Sequence, residues 1–185
     1  LSPQDLRRRR IRVPVRTMEW AVEELQGSAV KVPVPRIPQV LQRNVADTLM
    51  IPMDVVEVLG LERHISHFTQ GPQGERFANT VFQVSMNKAR WDSLDGDIQE
   101  AFRKASGPDF LKKVGQQWSD DDQAGEERLI LFKRTKVDLT SAQLMDYEKA
   151  LKPVEERWLK QVSFLGIDGK KLIDKARKTI KKHLK

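Results

Sequence analysis

Over the first fifty residues, short apolar runs alternate with stretches of helical period, and that alternation predicts strand-helix repeats. Arg10-Ile11-Arg12-Val13-Pro14 reads as a strand, residues 17–26 as a helix, 28–34 as a strand, 35–43 as a helix and 46–51 as a third strand. Met53 to Leu61 then carries the spacing of a short helix closed by Gly60, and His64 to Thr69 that of a strand running into the polar turn Gln70-Gly71-Pro72-Gln73-Gly74.

The middle of the chain changes character. Phe77 to Met86 alternates as a long strand, with Val81, Gln83 and Ser85 opposite Phe82, Val84 and Met86. A helical stretch begins at Asn87 and continues through Trp91. Asp95 or Asp97 caps a helix whose apolar face is Ile98, Ala101, Phe102 and Ala105. Gly107-Pro108 interrupts it, a further helix runs to about Asp120, and Leu129 to Phe132 reads as a last short strand.

The final third is a long helical arm. Thr140 and Gln143 have capping-box spacing, and Leu144, Tyr147, Leu151, Val154, Trp158, Val162 and Leu165 recur at three and four residues. Pro153 lies inside that stripe, where its ring removes one helical hydrogen bond and predicts a bend. Gly166-Ile167-Asp168-Gly169 ends the arm, and Asp168 is placed to cap a final helix.

Charge changes the picture only after it is divided along the chain. The net charge of +7 is concentrated at the two ends: residues 1–16 hold six arginines against Asp5, and residues 168–185 hold eight cations against two aspartates. The body between them is mildly acidic. The Arg-rich start lacks interleaved aromatics, and the Lys-rich end reads as the solvated face of a helix with Leu172, Ile173, Ala176 and Ile180 behind it, so nucleic acid is not expected as a partner. No stretch approaches the roughly 20 apolar residues of a helical membrane span. The absence of cysteine excludes disulfides, thiolate catalysis and cysteine-ligated zinc.

Catalytic constellations are scarce. His64 and His67 are three apart, which in a strand puts them on opposite faces. Asp120-Asp121-Asp122 lacks the alternating ligands and turn glycine of a calcium loop, and Gly169-Lys170-Lys171 lacks the glycines of a phosphate loop. No carboxylate pair stands in an apolar setting that would split its pKa values. The expected class is therefore not an enzyme, with no cofactor and no metal. Arg12 is the informative residue, because it lies where a strand feeds a helix, the edge at which α/β folds bind ligands. A guanidinium there can grip a carboxylate or phosphate with two parallel hydrogen bonds; the alternative is an edge-strand arginine facing solvent.

The order of segments carries a resemblance. Leu6-Arg7 through Arg12-Val13-Pro14, then Val34-Pro35-Arg36-Ile37-Pro38-Gln39-Val40-Leu41-Gln42-Arg43-Asn44-Val45-Ala46-Asp47, then Met50-Ile51-Pro52, resembles the solute-binding subunits of tripartite ATP-independent periplasmic (TRAP) transporters. Val84-Ser85-Met86-Asn87-Lys88-Ala89-Arg90-Trp91-Asp92-Ser93-Leu94 and the closing Gly166-Ile167-Asp168-Gly169 with its basic helix continue it. The resemblance implies an α/β, two-lobed periplasmic-binding-protein-like fold with a long C-terminal helical arm and an incomplete first lobe, the missing length lying before residue 1. By that comparison residues 1–77 and 118–167 belong to the second lobe, 78–117 are a returning segment of the first, and 168–185 form a C-terminal basic helix.

The same resemblance implies a role. Such a protein closes on a small organic acid, a carboxylate solute, and hands it to the integral membrane symporter subunits of the transporter. It works in the periplasm, in a full-length form with a signal peptide that these residues do not include. Substrate-binding positions fall on Arg12 as the carboxylate clamp, Arg16 beside it, Met50, Ile51 and Met53 at the pocket edge, and Asn79 on a crossing strand. The family favours glycine where this chain has Arg8, Asn44 and Thr48, and polar or aromatic residues where it has Ile51 and Met53, so the implied pocket is greasier than usual. The rival reading is a basic interaction module that binds nucleic acid or anionic surfaces through the two charged ends.

Overall fold

A computed structural model describes residues 1–76 and 81–183 of the protein. The chain divides into two compact units, Leu1–Ile51 with Asp138–Lys185, and Pro52–Val137. The packing therefore breaks at 51/52 and 137/138.

In the first unit, β1 (Arg10–Val13), β2 (Ser28–Lys31) and β3 (Thr48–Leu49) form a parallel sheet in the order β2-β1-β3, joined by α1 (Arg16–Glu24) and α2 (Ile37–Gln42). Ile11 pairs with Ala29 on one side and Thr48 on the other, so β1 is central. Ile11, Arg12 and Val13 are all buried, as expected of a parallel strand with structure on both faces. Ile11, Val13 and Val22 form a core cluster against which Leu6, Met18, Ala29 and Met50 pack.

The arm returns to the same unit. In α7 (Ser141–Ser163), Gln143 N–H donates to the Thr140 hydroxyl at 3.2 Å while Thr140 N–H donates to the Gln143 side chain at 2.9 Å, completing the expected capping box. Tyr147 is buried with Leu25 and Leu139, its hydroxyl donates to the Ser2 carbonyl at 3.0 Å, and burial pushes its pKa up to about 12, with a smaller push from Asp5. Helix α7 continues through Pro153. Its stripe is covered unevenly: Trp158 is half-buried and Leu165, past the helix end, is exposed. Asp168 caps α8 (Gly169–His183) by accepting from Lys171 N–H at 2.9 Å.

Two of the three positions where the resemblance favours glycine are left-handed: Arg8 at φ 61° and Asn44 at φ 53°. Thr48 instead lies in β3.

In the second unit, α3 (Asp54–Val58) packs on α6 (Pro108–Leu131), and β4 (His67–Gln70) pairs with β5 (Thr135–Asp138). Gly125 permits the α3–α6 contact, because a Cβ there would stand 2.0 Å from the Met53 carbonyl oxygen. Val56, Leu61, Phe68 and Leu129 are buried around it. Glu62 is buried too, accepting from Arg128 Nη2 at 3.2 Å while its carbonyl accepts from Arg134 Nε at 2.7 Å. Helices α4 (Lys88–Asp92) and α5 (Gly96–Ala105) contain no buried residue; the helical stretch starts at Asn87 as expected, with Asn87 accepting from Arg90 N–H at 3.2 Å, whereas Asp95 stands at the start of α5 without the expected side-chain capping bond.

Two expected strands are corrected. Leu129 to Phe132 is the end of α6, which runs eleven residues beyond Asp120 to Leu131; the strand comes later, at Thr135. A continuous apolar run fits either structure, and only Leu129 of this one is buried. Residues 77–80 of the expected long strand lie outside the described residues. Val81 to Met86 forms no helix or strand and pairs with no described strand, and Val84 is 97% exposed. Alternation alone does not hold a strand that lacks a ladder partner.

Candidate functional site

β1 lies between β2, which ends level with it at Lys31 opposite Val13, and β3, which ends at Leu49 opposite Arg12. Pro33 and Pro52 interrupt pairing after β2 and β3, and proline lacks the N–H that a ladder needs. Val32 and Met50 are each the first residue past their strand, and their carbonyls accept side-chain donors. Arg12 Nε and Nη2 donate to Val32 O at 3.2 and 3.1 Å, and Nη1 donates to Met50 O at 3.3 Å. One guanidinium thus ties together the C-terminal ends of all three strands.

The residue is 2% exposed, which rules out the solvent-facing, edge-strand alternative. Burial lowers its pKa below the ordinary arginine value, the mark of a desolvated cation. Among the described residues no carboxylate lies within ion-pair distance of it. The three hydrogen bonds engage one N–H on each nitrogen, so one N–H remains on each terminal nitrogen of the fork. That pair has the chemistry to hold a planar anion.

The other expected positions are distributed. Met50 is half-buried, packs against the Ile11-Val13-Val22 cluster and lends its carbonyl to Arg12, so these two are brought into direct contact. Ile51 follows, half-buried. Arg16 opens α1 and is exposed; it donates to the Gln161 side chain at 3.0 Å and lies 5.3 Å from the Trp20 ring, so its visible partners are on α1 and α7 and not on Arg12. Met53 is buried in the second unit, its main chain pressed against Gly125. Asn79 lies outside the described residues.

Sequence reasoning missed Val32, because a backbone acceptor carries no residue-type signal. Gln161 was missed because its partner is 145 residues away.

Solved structures share the fold of this chain. A marine metagenome TRAP solute binding protein described as specific for aromatic acid ligands, in complex with metahydroxyphenylacetate, superposes with a TM-score of 0.90 at 25% identity, covering 100% of this chain and 58% of that one. A TRAP solute binding protein from Rhodoferax ferrireducens, in complex with copurified benzoate, gives 0.89 at 24% identity over 98% of this chain and 57% of that one. A third, from Bordetella bronchiseptica with bound (R)- and (S)-mandelate, gives 0.82 at 22% identity over 98% of this chain and 57% of its own. The chain thus spans rather more than half the length of these proteins, whose fold is the two-lobed periplasmic-binding-protein type. The pattern of bacterial extracellular solute-binding protein, family 7, matches residues 1–161, and the chain belongs to that family.

Proposed function

We propose that the chain forms the larger part of a solute-binding protein that captures a small organic acid, with Arg12 as the carboxylate grip. The observation that carries this reading is a buried, charged guanidinium that has two N–H groups left and no counter-charge among the described residues. A desolvated cation gains most from an anion that arrives with its own oxygens in fork geometry. Met50 and Ile51 offer apolar surface next to it, which suits an acid with an aromatic or aliphatic body. The metagenome protein, at 25% identity, is in complex with metahydroxyphenylacetate and, in a second structure, with 3-hydroxybenzoate, in keeping with that choice. Arg16, Met53 and Asn79 complete the proposed set.

In this reading residues 1–77 and 118–167 belong to one lobe and 78–117 to the other, with 168–185 the closing helix. The lack of any buried residue in α4 and α5 supports it, because a segment whose apolar face awaits the rest of a lobe has nothing of its own to pack against. The bound acid would pass to membrane symporter subunits from the periplasm. Family membership displaces the basic interaction module as the account of the whole chain.

Calorimetric titration with benzoate, 3-hydroxybenzoate and acetate tests the grip. Removing one partner of a desolvated charge pair costs about 2–5 kcal/mol, so Arg12→Ala weakens binding by about 30-fold to several thousandfold, and Arg12→Lys recovers only part. Because Arg12 also ties the strand ends, each variant is first shown to melt cooperatively. Unchanged affinity in a folded Arg12→Ala variant removes Arg12 from the site, and no binding by the parent chain overturns retention of the site in these residues.

A further inference from the structure

The turn between α7 and α8 exposes large apolar residues beside a dense array of lysines. Phe164 is 79% exposed and Leu165 72%, and Ile167 is also exposed. This is not a frayed end. Gly166 at φ 71° closes α7 with Gly166 N–H donating to Ser163 O at 3.0 Å and Ile167 N–H to Val162 O at 3.2 Å, the paired bonds of a Schellman motif. Gly169 then brings α8 so close that a Cβ there would meet Val162 at 2.7 Å and Leu159 at 2.9 Å. The backbone therefore holds Phe164 and Leu165 outward on a fixed tip.

The charge around that tip is predominantly positive, set against Asp168 in the turn and Asp174 within the arc of α8. Helix α8 carries Lys170, Lys171, Lys175, Arg177, Lys178, Lys181 and Lys182 against Asp174 alone, and Lys160 precedes the turn; all these cations are exposed. Arg177 is paired, with Glu155 at 3.0 Å, while among the described residues the lysines of α8 have no ion pair. At about 100° per residue they fill one arc, opposite Gly169, Ile173 and Ala176. Leu172 borders the arc and Ile180 lies on the opposite face between Gly169 and Ile173; both are exposed. The first unit as a whole holds 21 lysines and arginines against 12 aspartates and glutamates, a net +9, while the second holds 12 against 14, a net −2. The family match ends at residue 161, before the turn and α8.

We propose that the Phe164–Ile167 turn and the lysine arc of α8 form a docking surface for an anionic lipid membrane, with Phe164 and Leu165 entering the interface and the lysines meeting the headgroups. An apolar tip next to a lysine-rich amphipathic helix matches both halves of such a surface at once: hydrocarbon for the side chains and negative charge for the ammonium groups. An acidic protein face would satisfy the lysines and leave the rigid apolar tip unused. Among the described residues no helix is long and apolar enough to cross a membrane, so the contact is peripheral. It operates beside the acid site and does not depend on it.

The test is co-sedimentation of the whole chain with vesicles of phosphatidylcholine alone and with 30% phosphatidylglycerol, at low and high salt, without organic acid present. The chain is expected to sediment with the anionic vesicles at low salt, weaken as salt rises and ignore the neutral ones. Replacing Lys170, Lys171 and Lys175 with glutamine is expected to weaken binding roughly 100-fold. Phe164→Ser with Leu165→Ser is expected to weaken it at least tenfold with the charge unchanged. All five side chains are exposed, so circular dichroism should show parent-like folding. Failure of the folded parent to bind anionic vesicles overturns the proposal, as does binding that ignores the Phe164/Leu165 change or capture by polyglutamate alone.

Discussion

Trp20 and Trp118 make the contrast between the two units concrete. Both lie on amphipathic helices. Trp20, on α1, is buried and carries the guanidinium of Arg157 4.4 Å above its ring, while Arg157 pairs with Glu23 at 2.7 Å. Trp118, on α6, is 41% exposed and stacks on Phe82 at 4.9 Å, and Phe82 is itself exposed. The lesson is that an apolar stripe records what a helix is able to bury. Whether it does depends on a partner surface, and the first unit supplies one in the sheet and α7.

The largest expected effect follows directly. Trp20→Ala should cost about 3–5 kcal/mol of stability, whereas Trp118→Ala should cost only about 1–2 kcal/mol through the lost stacking and the indole hydrogen bond to Asp54. Denaturant unfolding of the two variants checks this, and equal losses would break the comparison. Next come two glycines of the same helix. Gly125→Ala drives a methyl into the Met53 carbonyl and should destabilise by about 1–3 kcal/mol, while Gly115→Ala, with nothing within 4 Å, should stabilise by about 1 kcal/mol. Opposite shifts in melting temperature would confine the packing of α6 to its contact with α3.

The next concerns Asp54, whose pKa is raised by burial and then by the neighbouring charge of Asp122, which accepts from Asp54 N–H at 3.0 Å. A carboxyl whose folded pKa lies above its unfolded value favours the folded state while protonated. That contribution is present at low pH and is lost as pH rises from about the ordinary 3.8 through the raised value. Asp54→Asn should flatten this part of the stability curve and melt higher than the parent at neutral pH. Thermal melts across the acid range would show it.

The smallest effects are at the left-handed residues of the first unit. Arg8→Gly should gain up to about 1 kcal/mol and Asn44→Gly a few tenths, since asparagine tolerates this conformation. Thr48→Gly, in a strand, should lose about 0.5–1 kcal/mol.

These cases also show what could be read from the sequence and why. Punctuation was legible in part: Thr140 with Gln143 and Asp168 cap the helices expected of them, whereas Asp95 marks a helix start without making a capping bond. The strands of the first unit were legible because each carries a β-branched or aliphatic residue and is followed within a few residues by a proline. The long strand before Met86 and the strand at Leu129 were misread because period alone cannot reveal a missing ladder partner or tell an apolar helix end from a strand. At the site, Arg12 was visible from its place at a strand end. Its two carbonyl partners were not, because backbone oxygen is the same in every residue.

The first unit is discontinuous in the chain, and that orders events in time. Leu25 is covered by Leu139 and Tyr147, and Trp20 by Arg157, so the first 51 residues cannot complete their core until the arm has been made. At about 5–20 residues per second, synthesis of the roughly 110 residues from Ile51 to the end of α7 takes about 5–20 s. Through that interval a nascent sheet presents an uncovered tryptophan and leucine to its surroundings. The growing chain is then a natural client for a chaperone, released when α7 closes over α1.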